Sequence, residues 1–456
     1  MPQFETDLSQ GHVGKQLLKF AMPFILSNLI QSLYNVADMI IVGQFAGTLS
    51  MSGVNIGGQV TMLIVNLVFG LSAAATVLVA QYKGAGQREL MQETIDTLFA
   101  TLTALGAVLT VLMVFLRGPI LRLIQTPAPA FAEASRYLLV TALGTLFIFG
   151  YNALSAIMRG LGDSRRPLIF VSIACVINVG LDLLMVAVWH WGAFGAGLAT
   201  VISQALSMIL CLIYLKRSDF SFQIGIHSMK FHKQRLSLLM KVGVPMSVQN
   251  VCTSISFLFL TAMVNILDPT AIASAAVGAV GKFNSFGVLP AFAMSNAISA
   301  MSAQNIGADR KDRAAKTMRI GTGIAFAISA GVFLLAQLFP DQILRVFAND
   351  DALVTAGREY LRSFSFDYLM VPLFAGLNGL FIGAGHTTFS FISGVCSALL
   401  VRIPTCYLFG ITMGMGLFGV GLGAPFASGF SFLLGLWFYF SGRWKKAVIL
   451  HREVSE

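Results

Sequence analysis

The chain has 456 residues, of which 56% are hydrophobic and only 11% carry a charge, and its mean hydropathy is +0.79. Soluble domains carry roughly 25% charged residues, so this balance excludes a large water-soluble domain and describes a polytopic membrane protein. The net charge of +10 is better explained by basic residues gathered in loops on one side of a membrane than by a nucleic-acid surface. Cys175, Cys211, Cys252, Cys396 and Cys406 all lie in apolar runs and none pairs at metal spacing, so neither a disulfide framework nor a zinc site is indicated. The opening MPQFETDLSQGHVGK lacks the basic segment and small-residue cleavage site of a signal peptide.

The first apolar stretch, Leu17 to Val42, is 26 residues long, where a bilayer crossing needs ~20. It contains Pro23 and one acid, Asp38. A charge at the centre of a membrane helix costs about 2.5–3.5 kcal/mol on insertion scales, so an acid kept there points to use. Twelve apolar spans are expected, at about 17–44, 52–80, 94–116, 136–158, 167–189, 195–215, 239–266, 271–303, 318–339, 358–382, 389–411 and 418–441. One set of connections holds Lys83, Arg88, Arg159, Arg165, Arg166, Lys216, Arg217, Lys230, Lys233, Arg235, Arg310, Lys311, Arg313, Lys316, Arg443, Lys445 and Lys446; the opposite set is short, poor in basic residues and includes Asp341, Asp350 and Asp351. Both termini are therefore expected on the cytoplasmic side of the cytoplasmic membrane.

The chain repeats itself. KFAMPFILSN (19–28) recurs as KVGVPMSVQN (241–250), VAQYKGAGQRE (79–89) as SAQNIGADRKD (302–312), ALSAIMRGLGDS (153–164) as GLNGLFIGAGHT (376–387), and WGAFGAGL (191–198) as MGLFGVGL (415–422), at offsets of 222 to 224. Six spans per half give the halves one orientation, so the expected fold is all-α, with two pseudo-symmetric six-helix lobes as parallel repeats around a cleft, a transporter architecture. The expected lobes are 1–222 and 223–456, joined by a basic, amphipathic linker around 216–241 on the cytoplasmic surface.

Polar residues inside the spans mark the candidate site. In helix 5, Asn178 and Asp182 stand four apart on one face. Asp182 is about six residues, or ~9 Å, from the outer end of its helix. Asp38 in helix 1 and Thr200 in helix 6 reach a similar depth. Tyr34 lies one turn from Asp38, Gln204 one turn from Thr200, and Asn152 of helix 4 could face inward. Two carboxylates with amide and hydroxyl oxygens make a site for a hard cation such as Na⁺. The same carboxylates, desolvated side by side, are also a proton site. The bland reading is a hydrogen-bond network tying helices 1, 5 and 6 together. The second half does not copy the set: Leu260 and Thr405 stand at the positions of Asp38 and Asp182. It carries Lys282, Asp367 and Arg402 instead, and the last two, at matching depth on neighbouring helices, are expected to form a buried ion pair. The glycine-rich turns at 84–86, 160–162, 307 and 383–385 are expected to end helices, since no GxxxxGK[ST] pattern exists in the chain.

The Pro-containing first helix ending VADMIIVGQFAG, the AQYKGAGQ and AQNIGADR loops, RGLGDSRRP, and NVGLD followed by GAFGAGLAT together resemble the multidrug and toxic compound extrusion (MATE) transporters over nearly the whole chain. The resemblance implies a monomeric, cofactor-free exporter of small organic cations in the lipid bilayer, driven by H⁺ or Na⁺ through alternating access. It places the family's cation site in the first half on Asp38, Asn178, Asp182 and Thr200, and the helix 1 proline whose bending accompanies protonation on Pro23. The likeness is to the bacterial (DinF-like) branch with that site. The branch using acids of the second half has a Glu in helix 7, where VGVPMSVQNVCTSISFLFLTAMVN holds none, and Asp367 is about one turn displaced from that branch's helix 10 Asp. A lipid-linked precursor flippase of the wider superfamily is the alternative, although such proteins show more basic residues in the cleft. A major facilitator would carry G-x-x-x-D-R/K between helices 2 and 3, where this chain has YKGAGQRE; an intramembrane enzyme would need GxGD-type acids or HExxH, and neither is present.

Overall fold

The computed structural model describes residues 6–217, 230–267, 272–347, 350–446 and 448–449. Residues 218–229 of the expected linker, including Phe220 and Phe222, lie outside the described residues. In hydrocarbon every backbone N–H and C=O must be bonded within the protein, which leaves helices as the open solution. Among the described residues the regular structure is entirely helical. In chain order it comprises α1 (Val13–Phe45), α2 (Gly47–Gly84), α3 (Arg88–Leu123), α4 (Ala128–Leu143 and Thr145–Gly160, bent by 51°), α5 (Arg165–Val188) and α6 (Gly192–Arg217). There follow α7 (Lys233–Leu267), α8 (Ile272–Gly307), α9 (Lys311–Leu338), a short helix Pro340–Arg345, α10 (Asp351–Phe364 and Asp367–Gly383, bent by 40°), α11 (Thr387–Thr412) and α12 (Gly416–Phe440). Among the described residues ten helices are long and apolar enough to cross a membrane, and counting each bent pair as one span brings the number to twelve. Several outrun the apolar windows: α2 has 38 residues and α3 has 36. Hydropathy marks only the part at membrane depth, and these helices continue through polar residues to tight turns.

The chain divides into two compact units, Met1–Asp7 with Met22–Ser247 and Leu8–Ala21 with Val248–Glu456. Each unit therefore takes the opening turns of the other half's first helix. α1 changes unit beside Pro23 and α7 beside Pro245. Both helices run on through their prolines, although a proline deletes one backbone hydrogen bond and crowds the carbonyl four residues back.

The repeated motifs have a common physical basis in each unit. A Cβ on Gly160 would lie 2.9 Å from the Thr76 carbonyl oxygen, and one on the repeat-related Gly383 would lie 2.5 Å from the Ser299 carbonyl oxygen. Both glycines let α4 and α10 touch the backbones of α2 and α8. Two residues on, Gly162 (φ 84°) and Gly385 (φ 85°) turn the chain in the left-handed region that side chains disfavour. In the first half the turn is closed by Asp163, which accepts the backbone N–H groups of Arg165 and Arg166 at 3.1 and 3.2 Å. The second motif acts at the opposite end. Gly195 packs on Met185 and Gly419 on Phe409, each against a π-helical stretch, Leu183–Val188 in α5 and Cys406–Thr412 in α11. The wide turn thus recurs at the same place in both repeats.

At the far end of α4, Glu133 accepts from Ser50 Oγ at 3.1 Å and from the backbone N–H of Ala193 at 3.0 Å, tying the openings of α2 and α6 to α4. After α12 the turn Arg443–Lys445 folds back onto the α10–α11 connection. Trp444 is buried and stacks on Tyr439 with ring centroids 5.7 Å apart, and His386 Nε2 lies 3.0 Å from the Lys446 carbonyl oxygen, to which the neutral ring donates.

Replacing Gly160 or Gly383 by Ala is expected to cost about 1–3 kcal/mol through overpacking, read as a lowered melting temperature in detergent; Gly323→Ala, where nothing lies within 4 Å, should be neutral. Burial lowers the affinity of His386 for a proton, and the carbonyls of Lys446 and Trp444 oppose this only in part. Its folded pKa is therefore below the unfolded value of about 6.5. The docking it supports is fully present above that pH and is lost as pH falls toward the folded pKa. Trypsin cleavage after Lys445 and Lys446 should accelerate below about pH 6.5, and His386→Gln should remove that dependence.

Candidate functional site

The buried polar residues of the first unit converge on one place. Asp38 of α1 is 8% exposed, and Asn178 and Asp182 of α5 are 2% and 0% exposed. The carboxyls of Asp38 and Asp182 face each other within hydrogen-bonding reach. Asn178, one turn before Asp182, fills the space between Asp182 and Thr200 of α6. With its amide oriented to satisfy both neighbours, the nitrogen donates to Asp182 Oδ2 at 3.1 Å and the oxygen accepts the Thr200 backbone N–H at 3.3 Å. Thr200 Oγ1 donates to the Ala196 carbonyl at 3.0 Å. One oxygen of each carboxyl, Asp38 Oδ1 and Asp182 Oδ1, is buried without a partner. A desolvated acceptor left unpaired costs free energy in the resting protein, and a proton or cation arriving there recovers it.

Local backbone geometry sets this arrangement. Asp182 is the last residue before the π-helical stretch of α5. Ala193 and Ala196 at the start of α6 pack with Ile41, Val42 and Val186 in one apolar cluster, which brings α1, α5 and α6 close together. Beside the carboxyls a small pocket is lined by Gln31, Tyr34, Cys175, Asn178, Thr200 and Gln204, and Gln204 Oε1 has no partner. Tyr34 and Gln204 are thus at the site. Asn152 is not drawn in: its amide donates to the Ile148 carbonyl one turn back at 2.8 Å.

Sequence reasoning misses Tyr137 of α4. It is buried in the same apolar cluster, close enough to feel the charge of Asp38 and Asp182, and its ring fills the space left by Gly57 and Gly197. Its signal is the repeat: SRYLL (135–139) matches REYLR (358–362), which pairs Tyr137 with Tyr360 at offset 223.

The second unit differs. Leu260 is buried where the first half has Asp38. The expected Asp367–Arg402 ion pair is not formed: no nitrogen–oxygen contact of 4.0 Å or less joins them. Arg402 Nη1 donates to Ser256 Oγ of α7 at 2.9 Å, and its guanidinium lies 4.6 Å from the centroid of the Phe257 ring. Asp367 keeps one oxygen unpartnered and has Ser428 within hydrogen-bonding reach. Equal depth assumed straight helices, but α10 bends immediately before Asp367 and the α11 chain turns Arg402 toward α7. Lys282 is exposed and joins neither. A cavity of about 370 Å³, lined among others by Phe257, Asn284, Tyr360 and Phe364, lies in this unit.

Among the described residues no three His, Cys, Asp or Glu side chains cluster as a metal site. Asp38 and Asp182 are the only acids at the first-half site described above, and any further oxygens there come from amide and hydroxyl groups.

Gly57→Ala would put a methyl 2.7 Å from Tyr137 Cδ1. It should displace the ring and lower stability by about 1–3 kcal/mol, whereas Tyr137→Phe should hold the melting temperature within a degree or two. Thermal melts of both variants check this.

A family model, MatE, matches residues 23–184 and 245–408, one segment in each half. A probable multidrug resistance protein of Bacillus subtilis, YpnP, is 29% identical over 96% of this chain and 97% of its own. A probable multidrug resistance protein NorM of Thermotoga maritima is 26% identical over 97% of this chain and 95% of its own. An FAD transporter of Shewanella oneidensis is 22% identical over 88% of this chain and 89% of its own. The fold is shared with an outward-facing multidrug resistance MATE transporter of the MOP superfamily, at a TM-score of 0.89 and 22% identity over 95% of this chain and 97% of that one.

Proposed function

The chain belongs to the MatE family, and on that premise we propose that it is an ion-coupled antiporter that exports amphipathic organic cations across the cytoplasmic membrane by alternating access. Members of the family are secondary transporters, not enzymes. The observation that carries the reading is the facing pair Asp38 and Asp182, buried, on two different helices, each with an unpartnered oxygen. Such a pair accepts one positive charge in place of the missing hydrogen bonds.

The coupling ion is taken to be H⁺. The Asn178 amide oxygen already accepts the Thr200 N–H, whereas the Thr200 hydroxyl gives its hydrogen to the Ala196 carbonyl and keeps its own oxygen free. A proton needs only the two facing carboxyls, each with an unpartnered oxygen, whereas Na⁺ would also have to recruit the Thr200 hydroxyl or the Gln204 amide oxygen. On this reading Asp38 and Asp182 carry the coupling proton and Asn178 holds Asp182 in place. Tyr34, Thr200 and Gln204 shape the pocket, and Pro23 lets α1 adjust as the site changes charge. A ligand shifts a conformational equilibrium only by its differential affinity for the two states, so proton binding must favour the state that releases the drug. Acids in the first half suit cationic cargo, and both termini would face the cytoplasm.

The test is efflux of ethidium from proteoliposomes, driven separately by a pH gradient and by a Na⁺ gradient, with FAD as a non-cationic cargo. Efflux should follow the pH gradient, and Asp38→Asn and Asp182→Asn should each lower it at least tenfold. Wild-type rates in both variants would overturn the site assignment, and efflux driven by Na⁺ alone would overturn the choice of ion.

A further inference from the structure

The opening of α9 carries a charge pattern that the coupling reading does not use. Residues 320–338 contain no Asp, Glu, Lys or Arg, so Arg319 is the last charge before the apolar run of α9. Lys316 precedes it by one turn on the same face, and both are exposed. Beside them, within the second unit, lies a groove of about 460 Å³. Gly11, His12 and Val13 form one wall; Arg313, Lys316 and Arg319 form the other, with Asp312 the one carboxylate.

The internal repeat shows what is unusual here. An offset of 223 places Glu93 and Asp96 of α3 at the positions of Lys316 and Arg319. In the first unit those acids are matched by the segment that enters α7. Arg235 Nε reaches Glu93 Oε2 at 3.1 Å, and His232 Nδ1 lies 3.7 Å from Glu93 Oε1. Asp96 sits in the field of His232 and Lys230. That arrangement sets acid on the helix against base on the incoming segment, and the two neutralise each other.

In the second unit the helix has changed sign, and the matching positions of the segment entering α1, LSQGHV (8–13), supply no acid. Neither Lys316 nor Arg319 makes an ion pair among the described residues, whereas nearby Lys311 pairs with Asp309 at 3.0 Å. The wall opposite is the first turn of a 33-residue helix with no acidic residue in that turn, which adds the partial positive charge of its free N–H groups. Below Arg319 on the same face, Gly323 faces open space and Phe326 is exposed, so an apolar track leads from the groove along α9.

We propose that this groove binds a phosphate-bearing anion, the phosphodiester headgroup of an anionic membrane lipid, with an acyl chain lying along the Gly323–Phe326 face. Three observations converge on it: Lys316 and Arg319 without acidic partners among the described residues, a cavity at the edge of the apolar run, and a repeat-related position where the same place is filled by the chain's own opposite charges. Basic residues just outside an apolar run attract anionic headgroups, and Lys and Arg reach them by extending their side chains to the interface. The inference depends on the chain spanning a membrane and not on which ion or cargo it carries.

The test uses the full-length protein in detergent, titrated with short-chain phosphatidylglycerol or phosphatidylcholine and read by native mass spectrometry. Phosphatidylglycerol should bind at least tenfold more tightly than phosphatidylcholine, and millimolar inorganic phosphate should compete. Lys316→Gln with Arg319→Gln should abolish the preference. Lys316→Glu with Arg319→Asp, which restores the charges of the first half, should reverse it. Lys445→Gln, a cation outside the groove, should leave it unchanged. Melting temperatures of the variants confirm that they are folded. An undiminished preference in the Gln pair overturns the site. Binding of inorganic phosphate with no preference between the two lipids overturns the lipid as its source.

Discussion

What the structure depends on is close backbone contact between helices in a solvent that offers no hydrogen bonds. Apolar association drives nothing inside a bilayer, so helices hold together by packing and by polar contacts. The glycines at 160, 383, 195 and 419 remove the side chains that would keep the backbones apart. Once α1, α5 and α6 stand this close, short side chains from three helices share one small volume. Asp38, Asn178, Asp182 and Thr200 meet because the backbones around them have already met. The polar cluster is thus a consequence of the apolar packing, and its unsatisfied oxygens are tolerated because that packing supplies the free energy.

The gross architecture was legible because its signals are large: long apolar runs, and four motifs repeated at nearly one offset. The convergence of the candidate site was legible too, since depth in a membrane helix converts residue number into height. That conversion sets Asp38, Asp182 and Thr200 at one height, and the cluster around Val42, Val186 and Ala196 brings their helices together. It fails for Asp367 and Arg402, where a 40° bend intervenes. It says nothing of azimuth, which is why Asn152 looked available although its amide is spent on Ile148. Tyr137 carries no charge and so drew no attention, despite its match to Tyr360. The π-helical turns left no mark in the sequence, because Leu, Met, Val and Ala suit either helix. Nor could composition show that α1 and α7 change unit beside their prolines, since unit membership is a property of long-range contacts.

The two halves show how a duplicated scaffold separates fold from chemistry. Both keep the glycine contacts, the π-helical stretch and the buried tyrosine. Only the first keeps facing carboxyls, and the second substitutes Leu260 and Thr405 at those places. At the opposite end of the helices the sign of the charges is exchanged between α3 and α9. Positions that hold backbones together are the same in both repeats, while the buried acids and the charges at the helix ends differ. The repeat is therefore most informative where it breaks.

The facing carboxyls also have an electrical consequence. On the proposed proton coupling, a pair holding one proton between two acids retains one negative charge. If that proton leaves as a monovalent organic cation is taken up, and the reverse happens on the other side, the exchange moves no net charge. Membrane voltage then does no work on transport, and the pH difference alone sets the attainable concentration ratio. A second proton per cycle, or a cargo with a different charge, would break this balance. Each unbalanced charge would then couple transport to the voltage by about 2.3 kcal/mol per 100 mV.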